Sequence, residues 1–125
     1  MKTKKENIPV TMEAPETVMR ALPGYGGMTV AFNEVPAGTD MTPLLQGLEN
    51  NSCHCPHWGY IFEGSIRLIY DDGTEEVTKA GDVFYWHPGH TAIVEEDLKL
   101  IDFSPEKEFG EVMDHIGKKM AELGG

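Results

Sequence analysis

From residue 57 to residue 103, strand-forming segments and turn residues alternate at short, regular intervals, and this rhythm restricts the fold more than any other feature. Residues 57–63 and 65–70 are strand-like and are separated by Gly64. Asp71-Asp72-Gly73 is a turn of the kind that joins antiparallel strands. Residues 74–78 follow, then a break at Lys79-Ala80-Gly81. Residues 83–86 run into His87-Pro88-Gly89, residues 91–95 resume, and 98–103 end the series. Many short strands at this spacing predict an all-β antiparallel sandwich or barrel.

The flanks differ. Residues 1–16 read as an N-terminal arm, and 17–22 as a strand closed by Pro23-Gly24-Tyr25-Gly26-Gly27. Residues 28–35 are a firmer strand, ended by Pro36-Ala37-Gly38, and 39–51 are irregular around Pro43 and Leu44-Leu45. After Ser104 as cap and Pro105 at the first helical position, a 3.6-residue period predicts a C-terminal α-helix over 105–123. Phe109, Val112, Met113, Ile116, Met120 and Leu123 form its apolar stripe, and Gly124-Gly125 ends it. This helix is expected to pack on the outside of the barrel or on a partner subunit. His115 lies beside the stripe and reads as a solvated surface residue without function. With 125 residues, 40% of them hydrophobic, the chain suits a single domain: arm 1–16, barrel 17–103, helix 105–123.

Ahead of the strand series stands Cys53-His54-Cys55-Pro56-His57, four side chains of metal-binding type within five residues. Residues 53, 55 and 57 share parity, so an extended backbone sends two thiols and an imidazole to one face. His87-Pro88-Gly89-His90 supplies a second group of the same kind. Inert packing of the two cysteines is the competing reading, because free cysteine is a commonly buried residue. His54 has the wrong parity and is placed in solvent or a loop; His87 is placed at the surface. A disulfide between cysteines two apart is strained, which favours reduced thiols.

Charge excludes some partners. The net charge is -11, with 21 acidic against 10 basic residues, and that field repels phosphate backbones and anionic lipid. No nucleic acid and no membrane partner is expected. The cationic start Met1-Lys2-Thr3-Lys4-Lys5 lacks the apolar stretch of a signal peptide, so a cytoplasmic location is expected.

The stretch from about 51 to 103 resembles the cupin family. Trp58-Gly59-Tyr60-Ile61-Phe62-Glu63-Gly64-Ser65 matches the close of that family's first motif, and Gly81-Asp82-Val83-Phe84-Tyr85-Trp86-His87-Pro88-Gly89-His90 matches its second. The resemblance implies a cupin-type double-stranded β-helix, a jelly-roll barrel, with metal at its mouth. The ligand positions are altered. Cys53 and His57 stand at the family's second histidine and its glutamate, Asn51 at the first histidine, and Ala92 at the last one, with His90 two residues earlier. A slip of the loop lets Cys55 replace Asn51 or join the set. The resulting set is Cys53, Cys55, His57 and His90, holding a divalent transition metal, zinc or iron. Four protein ligands would close the ion off; three would leave a position for water or substrate.

Tyr60 and Tyr85 are the candidate substrate-pocket residues. Trp58, Tyr60 and Phe62 form a row opposite His57, readable as a ligand-stacking wall or as a sheet face packed between subunits or under the helix. A homodimer that covers it is expected. Three function classes stay open: a metal-dependent enzyme on a small organic substrate, a non-catalytic small-ligand or metal-binding sensor module, and a thiol sensor using Cys53 and Cys55.

Overall fold

Seven strands form one antiparallel sheet that folds back on itself, in a computed structural model that describes residues 1–123. In chain order they are β1 (Val10–Ala14), β2 (Thr17–Tyr25), β3 (Met28–Val35), β4 (His57–Tyr70), β5 (Glu75–Lys79), β6 (Val83–Trp86) and β7 (His90–Pro105). A short helix, α1 (Thr42–Leu45), interrupts the connection from β3 to β4, and α2 (Glu106–Leu123) closes the chain. The strand order is β1-β2-β3-β7-β4-β5, with β6 paired beside β5 on the same edge of β4. Among the described residues no helix is long and apolar enough to cross a membrane.

Two long strands organise the molecule. β7 lies between β3 and β4, so Phe103 pairs with Val30 on one side and Trp58 on the other. β4 is continuous where the sequence suggested two strands. Its register slips three times between Ile61 and Ile66, and the slips exchange its faces. Ile61 is buried before the bulge, whereas Ile66, Leu68 and Tyr70 are buried after it. Gly64 sits at the bulge with φ +86, and a Cβ there would collide with the Asp97 carbonyl. Residues 91–95 and 98–103 likewise belong to one strand. The acidic run between them stays exposed and finds partners: Glu95 pairs with Arg67, and the Ser65 hydroxyl donates to Glu96.

Other expectations are corrected at the ends. The arm is not structureless: β1 pairs with β2, and Met12 packs against the layer beneath α2. Pro105 pairs with Met28 as the last residue of β7, so the helix begins at Glu106. That glutamate accepts a hydrogen bond from the Gly24 N–H at 2.6 Å. His115 is not merely solvated, since its Nε2 hydrogen-bonds the Gln46 carbonyl at 2.8 Å and ties α2 to the loop after α1. The expected helix end at Gly124-Gly125 lies outside the described residues.

Two apolar clusters result. The barrel interior holds Val35, Ile61, Leu68, Phe84, Trp86 and Leu100 among others. The second cluster joins Leu45, Cys53, Cys55 and Ile116 to Phe109, Val112 and Met113 of α2. The helix therefore lays its stripe over the open end of the sheet instead of on the outside of the barrel.

Candidate metal centre

Cys53 lies in no strand, yet its backbone is fixed against the start of β7. Its N–H donates to the His90 carbonyl at 2.7 Å, and its own carbonyl accepts from His90 and Gly89 at 3.1 and 2.8 Å. The chain reaches this bridge through Asn50 and Asn51, both left-handed at φ 56 and 54, a conformation asparagine tolerates better than most residues. Asn51 spends its side chain on this loop, accepting from the Gly47 N–H at 3.1 Å. It is a loop residue and not a donor to the site.

His57 opens β4 opposite Trp86 of β6. Cys53, His57 and His90 thereby meet, one donor atom from each lying within 4.8 Å of the others. The Cys53 Sγ to His57 Nε2 distance is 3.7 Å. Each imidazole is oriented from behind. His90 Nδ1 donates to the His87 carbonyl at 2.7 Å, which leaves Nε2 as its free nitrogen. His57 Nδ1 donates to Ser104 Oγ at 2.6 Å, and Ser104 donates to Asp102 Oδ2 at 2.9 Å. Asp102 Oδ2 is itself 3.2 Å from His57 Nδ1.

Asp102 and Ser104 escaped the sequence analysis. Both are buried on the inward side of β7, in line with Leu98 and Leu100. The available signal was two small polar residues continuing an apolar alternation. A buried carboxylate must be hydrogen-bonded and charge-balanced, and here an imidazole stands before it.

Protonation follows this layout. Burial alone would raise the Cys53 thiol, but hydrogen bonds and charge from His57 and His90 lower it to about 6. Burial would lower His57, but Asp102 and then Cys53 raise it to about 9. Both shifts favour a thiolate–imidazolium pair in the metal-free chain.

Cys55 stands apart from the three-donor group. Residues 54–56 have no regular structure, so the parity that aligned both thiols does not apply. Its side chain is fully buried with Leu45 and Ile116, its thiol contacts the Pro56 carbonyl at 3.5 Å, and burial followed by the Cys53 charge pushes it up to about 12. The aromatic residues sort in the same way. Tyr60 and Tyr85, expected in the pocket, are 38% and 50% exposed on the outer face, where Tyr85 stacks on Trp58. Phe84 and Trp86 take the interior. Gly59, inward-facing beside them, admits the Phe84 ring; a Cβ would stand 2.6 Å from it and collide with the Ile101 carbonyl. His54 bonds the Glu49 carbonyl within its loop, and His87 stacks on Tyr70 at the surface.

The three donors form one wall of a cavity of about 140 Å³. Trp86, Ala92 and Leu100 line it from the barrel, and Phe109, Val112 and Met113 from α2. The donor set fits a transition metal. One soft thiolate and two oriented, neutral-capable imidazoles are ligands for zinc or ferrous iron, and the Asp102 carboxylate behind His57 is the usual outer partner of such a histidine.

No family model matches the chain, and no curated protein matches it. Solved structures do. An RmlC-like cupin from Shewanella frigidimarina aligns over 82% of this chain and 88% of its own, with 19% identity and a TM-score of 0.57. The polyketide cyclase RemF from Streptomyces resistomycificus aligns over 84% and 78%, with 16% identity and a TM-score of 0.55. The FeII protein HppE aligns over 83% of this chain and 59% of its own, with 10% identity and a TM-score of 0.57.

Proposed function

The chain has the cupin fold, and from that premise we propose that it is a metal-binding small cupin whose ion is held by Cys53, His57 and His90 and which acts on a small organic molecule. One observation carries the reading: three soft or borderline donors from separate stretches converge within 4.8 Å on the wall of a cavity. Cys55 is left out of the ligand set, so the protein supplies three ligands and not four. A three-ligand site keeps a coordination position for water or substrate, which favours an enzyme over a closed sensor. A bound divalent ion would supply Lewis-acid or oxygen-activating chemistry. HppE, an FeII protein, and RemF, a polyketide cyclase, have similar folds and support this reading, and the thiolate and imidazole donors favour iron or zinc as the ion.

The chain's own residues have separable tasks. Ser104 and Asp102 keep the proton of His57 on Nδ1, so that Nε2 faces the ion. The carbonyl of His87 does the same for His90. The α2 stripe and Trp86 give the cavity an apolar wall. Elemental analysis of protein purified under reducing conditions tests the proposal. About one zinc or iron per chain is expected, lost in a Cys53→Ala, His57→Ala double variant; a metal-free native protein that takes up neither ion ends it. The expected homodimer is part of the same proposal, formed through the outer row of Trp58, Tyr60, Phe62 and Tyr85, and sedimentation of the native chain decides it.

A further inference from the structure

The polar groups that line the cavity divide into two kinds. Those away from the three donors each make a hydrogen bond within the protein. Arg20 donates to the Ile8 carbonyl at 3.0 Å, Thr11 to the Met19 carbonyl at 3.3 Å, and Thr42 and Thr91 share a hydrogen bond at 2.8 Å. Asn33 and Asp102 are joined at 3.5 Å, and Asp102 also holds Ser104 and His57. Among the described residues no buried side-chain nitrogen or oxygen lacks a partner. The remaining wall is apolar: Leu68, Trp86, Ala92, Val94 and Leu100 from the barrel and four residues of α2 facing them.

From this division we infer that the ligand of the site is a small, predominantly apolar molecule with a single polar head, the head being an oxygen, nitrogen or sulfur lone pair presented to the ion that Cys53, His57 and His90 would hold. The inference deepens the proposed function and rests on it for the head alone; the apolar body follows from the cavity. A sugar, a polyol or a dicarboxylate would bury several hydroxyls or a second charge against a mostly hydrocarbon wall, with Arg20 Nη1 already turned to the Ile8 carbonyl, and unpaired polar groups in such a place are strongly disfavoured. Size agrees. An apolar cavity of roughly 150 Å³ stays dry and accepts benzene, and this one is about 140 Å³. A body of roughly six to eight non-hydrogen atoms is therefore the fit, as a ring or a branched chain. Ala92 makes the room, because any longer inward side chain at that position of β7 would fill the space beside His90.

Titration calorimetry on the full chain, metal-free and loaded with zinc or iron, tests the assignment with toluene, 4-methylphenol and succinate. Toluene is expected to bind both forms alike. 4-Methylphenol is expected to bind the loaded form at least tenfold tighter than the metal-free form, and succinate neither form. Ala92→Leu should weaken toluene at least tenfold, with Val112→Phe as the second variant if Ala92→Leu fails to fold. Succinate binding in preference to toluene, or no toluene binding to either form, overturns the inference. A chain that takes up no metal but binds toluene, and loses it in these variants, overturns the proposed metal centre while the apolar class of ligand stands.

Discussion

Cys53 and Cys55 are two residues apart and share one apolar cluster under α2, yet their sulfurs meet different neighbours. Cys53 faces the donor wall, beside two imidazoles, and its thiol is lowered to about 6. Cys55 lies in the layer roofed by α2, with Leu45 and Ile116, and its thiol is pushed up to about 12. Sequence spacing treats them as equals. Burial raises both thiols, and only beside Cys53 do His57 and His90 reverse that, so the chemistry of a thiol here is set by the imidazoles next to it and not by burial alone.

The largest expected effect separates the two thiols by metal affinity. Cys53→Ala should weaken zinc binding by something on the order of 1000-fold, beyond the ~10–100-fold typical of an outer partner, while Cys55→Ala leaves it nearly unchanged. Competition titration with a chromophoric chelator reads both, and equal losses would erase the distinction. Next comes the covered layer. Ile116→Ala removes a buried anchor of α2 and should cost about 3 kcal/mol in denaturant unfolding, with the zinc affinity of the folded protein preserved. Should zinc binding fall in parallel, the donor wall and the covered layer are one cooperative unit.

Asp102→Asn probes the back of the donor wall. It keeps the shape but removes the charge behind His57, and a ~10–100-fold weaker metal affinity is expected. A threefold change or less would leave Asp102 as packing only.

The smallest effect is a near-absence of slope. His57, raised from 6.5 to about 9, contributes stability that is present below pH 6.5 and lost as pH rises through 9. Cys53, lowered from 9.0 to about 6, contributes stability that is present above pH 9.0 and lost as pH falls through 6. Between about 6 and 9 the two slopes oppose each other, so the unfolding midpoint of metal-free protein should stay nearly level there. Thiolate absorbance should nonetheless show one cysteine ionising near pH 6 and the other silent to about 12. A midpoint that climbs steadily across this window would mean that Cys53 ionises without His57 gaining its proton.

The strand rhythm was legible because glycine and aspartate turns punctuate it, and β3 and β6 fall where the sequence places them. Continuity was not legible in β4, because a bulge at Gly64 looks like a turn until the partner strand is known. Cys53, His57 and His90 were readable from residue type and from the cupin likeness. Cys55 was not excluded, since nothing local shows that the chain leaves the extended state between 54 and 56. For residues 83–86 the alternation was visible but its direction was not: all four are apolar, so no polar residue marks the outer face. Asp102 and Ser104 remained hidden because their meaning depends on His57, 45 or more residues away in sequence, and only pairing of β7 with β4 brings them together.

The bridge between Cys53 and His90 has a consequence beyond geometry. Of the donors only His90 is distant in sequence, so loss of the native pairing removes it and leaves residues 53–57 as a weaker local chelate. Under the proposed function, free ion at a hundredfold excess over its dissociation constant would add at most about 2.7 kcal/mol to the native state by mass action, less whatever the unfolded chelate retains. Scarcity of the ion in the cell would then be felt first as faster proteolytic turnover, and only afterwards as an idle catalyst.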